Sequence, residues 1–92
     1  MESAVAFGRL FRARRNATGL SQEAFADSID YHRTEISIIE RGLRDVRLET
    51  ICHLARGLGI TPSELLDGLD LDALEPRIRP MSRRRRRREP TR

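Results

Sequence analysis

QEAFADSIDYHRTEISIIERG, residues 22–42, is the stretch whose reading decides the fold. Ser21 precedes it as a helix N-cap, and Phe25, Ala26 and Ile29 fall on one stripe, so the spacing predicts a short helix over Gln22 to Ile29. Asp30-Tyr31-His32 breaks the pattern. A second short helix follows over about residues 33–41, with Ile36 and Ile39 together and Gly42 as its C′ stop. Two short helices joined by about three residues must cross at a steep angle. That crossing requires one small residue and apolar residues at fixed offsets. Ala26 is the small one; Phe25, Ile29, Tyr31, Ile36 and Ile39 are the apolar ones. Such a pair projects its second helix outward from the core.

Working outward, Phe7 and Phe11 are four apart on a first helix, roughly residues 4–17, stopped at Thr18-Gly19. Residues 43–47 form a loop. A fourth helix near 48–58 buries Ile51, Leu54, Ala55 and Leu58 and ends at Gly59. Thr61-Pro62-Ser63-Glu64 is a capping box with Pro at N1, opening a short fifth helix through Leu66. No run alternates at period two. The expected fold is therefore all-α: a compact five-helix domain over residues 1–68, with an acidic, leucine-containing extension and linker over 69–80. Residues 81–92 form an Arg-rich tail, expected to be disordered because like charges without apolar residues cannot pack. In the extension, Leu69, Leu71 and Leu74 are interleaved with Asp70, Asp72 and Glu75.

Ninety-two residues suit one domain, and a core this small gains from dimerisation or ligand binding. The net charge of +4 conceals an asymmetry. Residues 1–75 carry nine Arg against thirteen acidic residues, whereas residues 76–92 carry nine Arg against Glu89 alone. Residues 1–60 are nearly balanced, with nine Arg and eight acids, so one face there can still be positive. No apolar run approaches the roughly 20 residues of a spanning helix, and no secretory signal precedes the first helix; a cytoplasmic protein is expected. Cys52, the single cysteine, is read as a buried thiol among Ile51, Leu54 and Ala55. His32 and His53 lack metal-ligand spacing. The chain has no G-x-S-x-G, P-loop or Cys/His pair suited to a triad, so neither an enzyme nor a cofactor is expected.

The chain resembles the Cro/repressor-type (XRE-like) helix-turn-helix family. The resemblance rests on Gly19-Leu20-Ser21-Gln22-Glu23, Ala26, Ile36-Ser37, Ile39-Glu40-Arg41-Gly42 and Leu48-Glu49-Thr50-Ile51. It continues through Leu54-Ala55, Leu58-Gly59-Ile60 and Ser63-Glu64-Leu65-Leu66, and covers about residues 7–66. Three positions depart from the family pattern. Asp30 replaces a glycine in the turn and tolerates the left-handed conformation at modest cost. His32 replaces the Ser or Thr that caps the second helix of the pair, which should let that helix fray. Arg14 occupies a commonly apolar position, with its stem packed and its head in water.

The resemblance implies transcriptional regulation by a dimer on a palindromic operator in double-stranded DNA. It places the bases under Arg33, Thr34, Ser37 and Ile38. Arg chelates guanine O6 and N7, Thr bonds several base edges, and Ile meets a thymine methyl. Phosphate contact carries over to Gln22, with Arg41 and Arg44 as clamps and Arg47 as a weaker third. Glu35 would be repelled by phosphates unless paired, and is expected in an intrahelical or Arg33-directed ion pair. Arg15 and Glu40 are implied as a structural ion pair between the first and third helices. Leu65, Leu66, Leu69 and Leu71 are the apolar side chains expected to meet a second subunit. The alternative is an antitoxin or protein-interaction module on the same scaffold, using residues 65–74 for a protein partner.

Overall fold

The computed structural model describes residues 2–69 and Leu74. The acidic extension, apart from Leu69 and Leu74, and the whole Arg-rich tail lie outside the described residues. Five helices follow in order: α1 (Ser3–Thr18), α2 (Gln22–Ser28), α3 (Arg33–Glu40), α4 (Leu48–Leu58) and α5 (Pro62–Leu66). No strand occurs among the described residues. The helix ends agree with the sequence reading to within a residue or so.

Each boundary has a local cause. Gly19 and Gly59 terminate α1 and α4 in the left-handed conformation. The Ser21 hydroxyl accepts from the Ala24 N–H to open α2. Asp30 holds φ at 61° in the turn after α2, as the short polar side chain permits. At α5 the Thr61 hydroxyl accepts from the Glu64 N–H, while the Glu64 carboxylate accepts from the Thr61 N–H at 2.8 Å. The bond from the Thr61 N–H first, and then one the Thr61 hydroxyl donates to the same carboxylate oxygen at 3.2 Å, hold the Glu64 carboxyl below the ordinary glutamate range.

One core joins all five helices. Phe11, Phe25, Ile36, Leu54 and Leu65 are fully buried at its centre, with Phe7, Ala26, Ile39 and Ala55 around them. Burying a side chain of that size contributes about 1.5–3 kcal/mol each. The Phe11 ring meets Phe25 edge-on at 5.3 Å, which locks α1 onto α2. Ile29, Tyr31, Ile51 and Leu58 are only partly buried and rim this centre.

Three expectations are corrected. Cys52 is exposed, not buried. One residue advances a helix by about 100°, so the stripe made by Ile51, Leu54, Ala55 and Leu58 turns Cys52 away from the core. The Arg14 head does not sit in open water: its Nη2 donates to the Glu64 carbonyl at 2.8 Å, and its Nε is buried without a partner. Leu65 is fully buried within the subunit, so it has no surface to give to a partner.

Candidate nucleic-acid interface

The outward helix, α3, is divided lengthwise by its neighbours. Ile36, Ile39 and Glu40 are buried. Arg33, Thr34 and Arg41 are exposed, and Ser37 and Ile38 are half-buried between the two sides. The helix approaches α1 closely enough that a Cβ on Gly8 would lie 2.5 Å from the Ile39 carbonyl oxygen. Gly8 is therefore a small residue at the α1–α3 crossing. The sequence pattern singles out only Ala26 as a small contact residue, in α2. The signal available was a lone glycine inside an otherwise unbroken helical run, which commonly marks close backbone approach.

The inner side is fixed by a buried polar network. Arg15 of α1 donates through Nε to Glu40 Oε2 and through Nη2 to Oε1 at 3.1 Å. Its Nη1 donates to the Leu20 carbonyl at 2.7 Å. Both residues are only 7% exposed, and the bonds from Glu40 raise the already high pKa of the guanidinium. A buried pair is tolerable when its remaining donors and acceptors are also satisfied, as here. The network further takes in Gln22, whose Nε2 donates to Glu40 Oε1 at 3.0 Å. Gln22 thus sits at the start of α2 with its side chain oriented by Glu40, half-buried rather than free in solvent. One amide hydrogen and the amide oxygen remain for another contact.

The leading end of α3 is capped differently from the sequence expectation. His32 Nδ1 accepts from the Thr34 N–H at 3.2 Å, and the Glu35 carboxylate accepts from the His32 N–H at 2.9 Å. This reciprocal arrangement satisfies two donors at the helix start, so His32 does not leave the helix to fray. Glu35 is corrected with it. Its carboxylate closes the cap instead of pairing with Arg33, which leaves the Arg33 guanidinium exposed at the leading turn. An acceptor at Nδ1 requires the proton on Nε2.

Past the trailing end, Gly42 turns with φ at 66°, and a Cβ there would lie 2.6 Å from the Val5 Cα. The chain then enters the loop carrying Arg44, Asp45 and Arg47. Arg44 and Arg47 are exposed, and the Arg47 guanidinium approaches Glu49 at 3.4 Å. Arg41, Arg44 and Arg47 are thus all exposed, at the end of α3 and in the loop that follows it. Leu43 and Leu48, at either end of that loop, are 58% and 74% exposed. Tyr31, in the turn before α3, directs its hydroxyl to His53 Nδ1 at 2.9 Å and so ties that turn to α4.

The arrangement is an outward helix, held from behind by its buried residues, with a guanidinium and a hydroxyl at its leading end and three guanidinium groups at and beyond its trailing end. An α-helix of this kind fits a major groove about 12 Å wide, and arginines beside it suit phosphates.

Comparison with known proteins identifies the fold. The helix-turn-helix domain family matches residues 6–67. Control protein C.MunI of Mycoplasma sp is 45% identical over 67 residues, covering 72% of this chain and 90% of the relative. Control protein C.BamHI of Bacillus amyloliquefaciens is 45% identical over 62 residues, covering 66% and 76% respectively. Among solved structures, the restriction-modification controller protein C.AhdI from Aeromonas hydrophila superposes with a TM-score of 0.66 at 43% identity. It covers 68% of this chain and 91% of that one.

Proposed function

The chain belongs to the helix-turn-helix domain family, and on that premise we propose that it controls restriction-modification genes by occupying a two-fold operator as a dimer. It is a DNA-binding transcriptional regulator rather than an enzyme, as its control-protein relatives are. In this reading Arg33, Thr34, Ser37 and Ile38 face base edges. Gln22, Arg41 and Arg44 hold phosphates on either side, and the protein acts in the cytoplasm where the DNA is.

The observation that carries the reading is the leading turn of α3. Arg33 and Thr34 are exposed there while Ile36, Ile39 and Glu40 fix the helix from behind. A bidentate Arg–guanine contact discriminates by about 1–3 kcal/mol, whereas phosphate contacts hold register without reading sequence. Selection of bound duplexes from random DNA by the full chain would supply the operator. Arg33→Ala should then weaken binding to the selected duplex by about 1–3 kcal/mol and leave a scrambled duplex nearly unaffected. Equal losses on both duplexes would sink the assignment of Arg33 to a base.

The dimer draws support from an apolar groove of about 440 Å³ on the α1–α5 side, lined in part by Phe7, Val46, Ile51, Leu66 and Leu69. Leu66 and Leu69 remain available in the groove, with Leu65 withdrawn into the core. The extension over residues 69–74 would complete the contact.

A further inference from the structure

The cap of α3 leaves one donor without a task. His32 holds the helix through Nδ1, which accepts from the Thr34 N–H at 3.2 Å, while its own backbone N–H donates to the Glu35 carboxylate at 2.9 Å. A ring nitrogen that accepts carries no proton, so the imidazole is neutral and its proton sits on Nε2. Among the described residues no hydrogen bond uses that Nε2–H. The two nitrogens stand on opposite sides of a rigid ring. With Nδ1 turned toward the first turn of α3, Nε2–H is turned away from it, out ahead of the helix. His32 is exposed, as are Arg33 and Thr34, the next two residues. A serine or threonine cap ends at the oxygen that the helix uses. The imidazole instead bridges from the helix to a second polar atom beyond it.

We propose that His32 is a further DNA-contacting residue: while its Nδ1 caps α3, its Nε2–H donates to an acceptor on the duplex ahead of the helix. The proposal rests on the operator reading above, which brings the leading end of α3 to the groove. Nε2–H can only donate, so it meets acceptors alone. These are phosphate oxygens at the lip of the groove, or guanine N7 and O6, adenine N7 and thymine O4 on its floor. The amino groups of cytosine and adenine are donors and cannot pair with it. A phosphate partner adds affinity for every sequence, whereas a base-edge partner adds preference. The ring is held by its bond to the Thr34 N–H, so the donor is presented in one orientation and little rotamer freedom is lost on binding.

The test is His32→Ser in the full chain. Serine is among the preferred N-caps, so the variant should unfold in urea with at least wild-type stability, while its short hydroxyl stays at the cap and reaches nothing beyond it. Both proteins are titrated at one salt concentration on a selected operator duplex and on a scrambled duplex of equal length. A loss of about tenfold on both duplexes assigns Nε2–H to a phosphate, the size of a hydrogen bond to a charged acceptor. A loss of about three- to tenfold on the operator alone assigns it to a base edge. Wild-type affinity on both duplexes would overturn the proposal. A second measurement needs no variant. Imidazole nitrogen NMR of the wild type should show His32 as the Nε2–H tautomer, with that proton exchanging more slowly once operator is bound. Exchange unchanged by operator would overturn the contact as well. If the wild type binds neither duplex, the operator reading itself fails and the contact falls with it. If it binds and the serine variant binds equally, the contact alone fails.

Discussion

Glu40 meets three donors from two places in the chain: two on Arg15 in α1 and the amide of Gln22 at the start of α2. Its removal would strand a buried guanidinium and release the Gln22 side chain together. Breaking one side of a buried, hydrogen-bonded pair costs about 3–5 kcal/mol, a large fraction of what so small a domain has. Glu40→Ala should therefore lower the unfolding free energy obtained from urea titration by an amount of that order, and a change below about 1 kcal/mol would contradict the burial described. Glu64 gives a second case with the opposite exposure. Its folded-state pKa is depressed, so its contribution is fully present above the ordinary glutamate range and is lost as pH falls through the folded value. Hydrogen exchange in α5 should lose protection on acidification below about pH 4.5. A Glu64→Gln chain, which keeps an acceptor for the Thr61 N–H but cannot titrate, should lack that acid sensitivity.

Among the elements, α3 separates what the sequence could convey from what it could not. Its limits, its buried pair Ile36 and Ile39, and the Arg15–Glu40 link to α1 were all legible, the first two from periodicity and the third from family resemblance. The cap was misread because His was ranked as an acceptor by residue type alone. Whether Nδ1 faces the Thr34 N–H depends on the orientation of the imidazole on its backbone, which residue type alone does not encode. Cys52 was misplaced for a related reason: its neighbours are apolar, but its angle around α4 points outward. The lone Gly8 hints at a packing constraint, but which element approaches it depends on how α1 meets a helix about thirty residues away. The cap can be tested directly. Glu35→Ala should destabilise by about 1 kcal/mol through loss of the reciprocal bond. Glu35→Gln should keep the fold, because Gln can close the same cap, and should bind DNA at least as tightly once a carboxylate near phosphates is gone. Weaker DNA binding by the Gln variant, at unchanged stability, would mean that the carboxylate itself meets the DNA.

For the whole molecule, the groove between α1, α5 and the α3–α4 loop sets the expected assembly. If two copies meet there by two-fold symmetry, their α3 helices should lie about 34 Å apart and match half-sites one duplex turn apart. Sedimentation of the full chain at micromolar concentration should report a dimer, and a monomer with and without operator duplex would remove that arrangement. One feature of the single subunit reaches further. The residues that hold α3 in place, Ile36, Ile39 and Glu40, share no position with those assigned to the bases, Arg33, Thr34, Ser37 and Ile38. On the proposed reading, structural integrity and address are written in different letters of one eight-residue helix. A lineage of such proteins can be redirected to new control regions by exchanging the outer letters alone, each intermediate remaining folded while its target drifts.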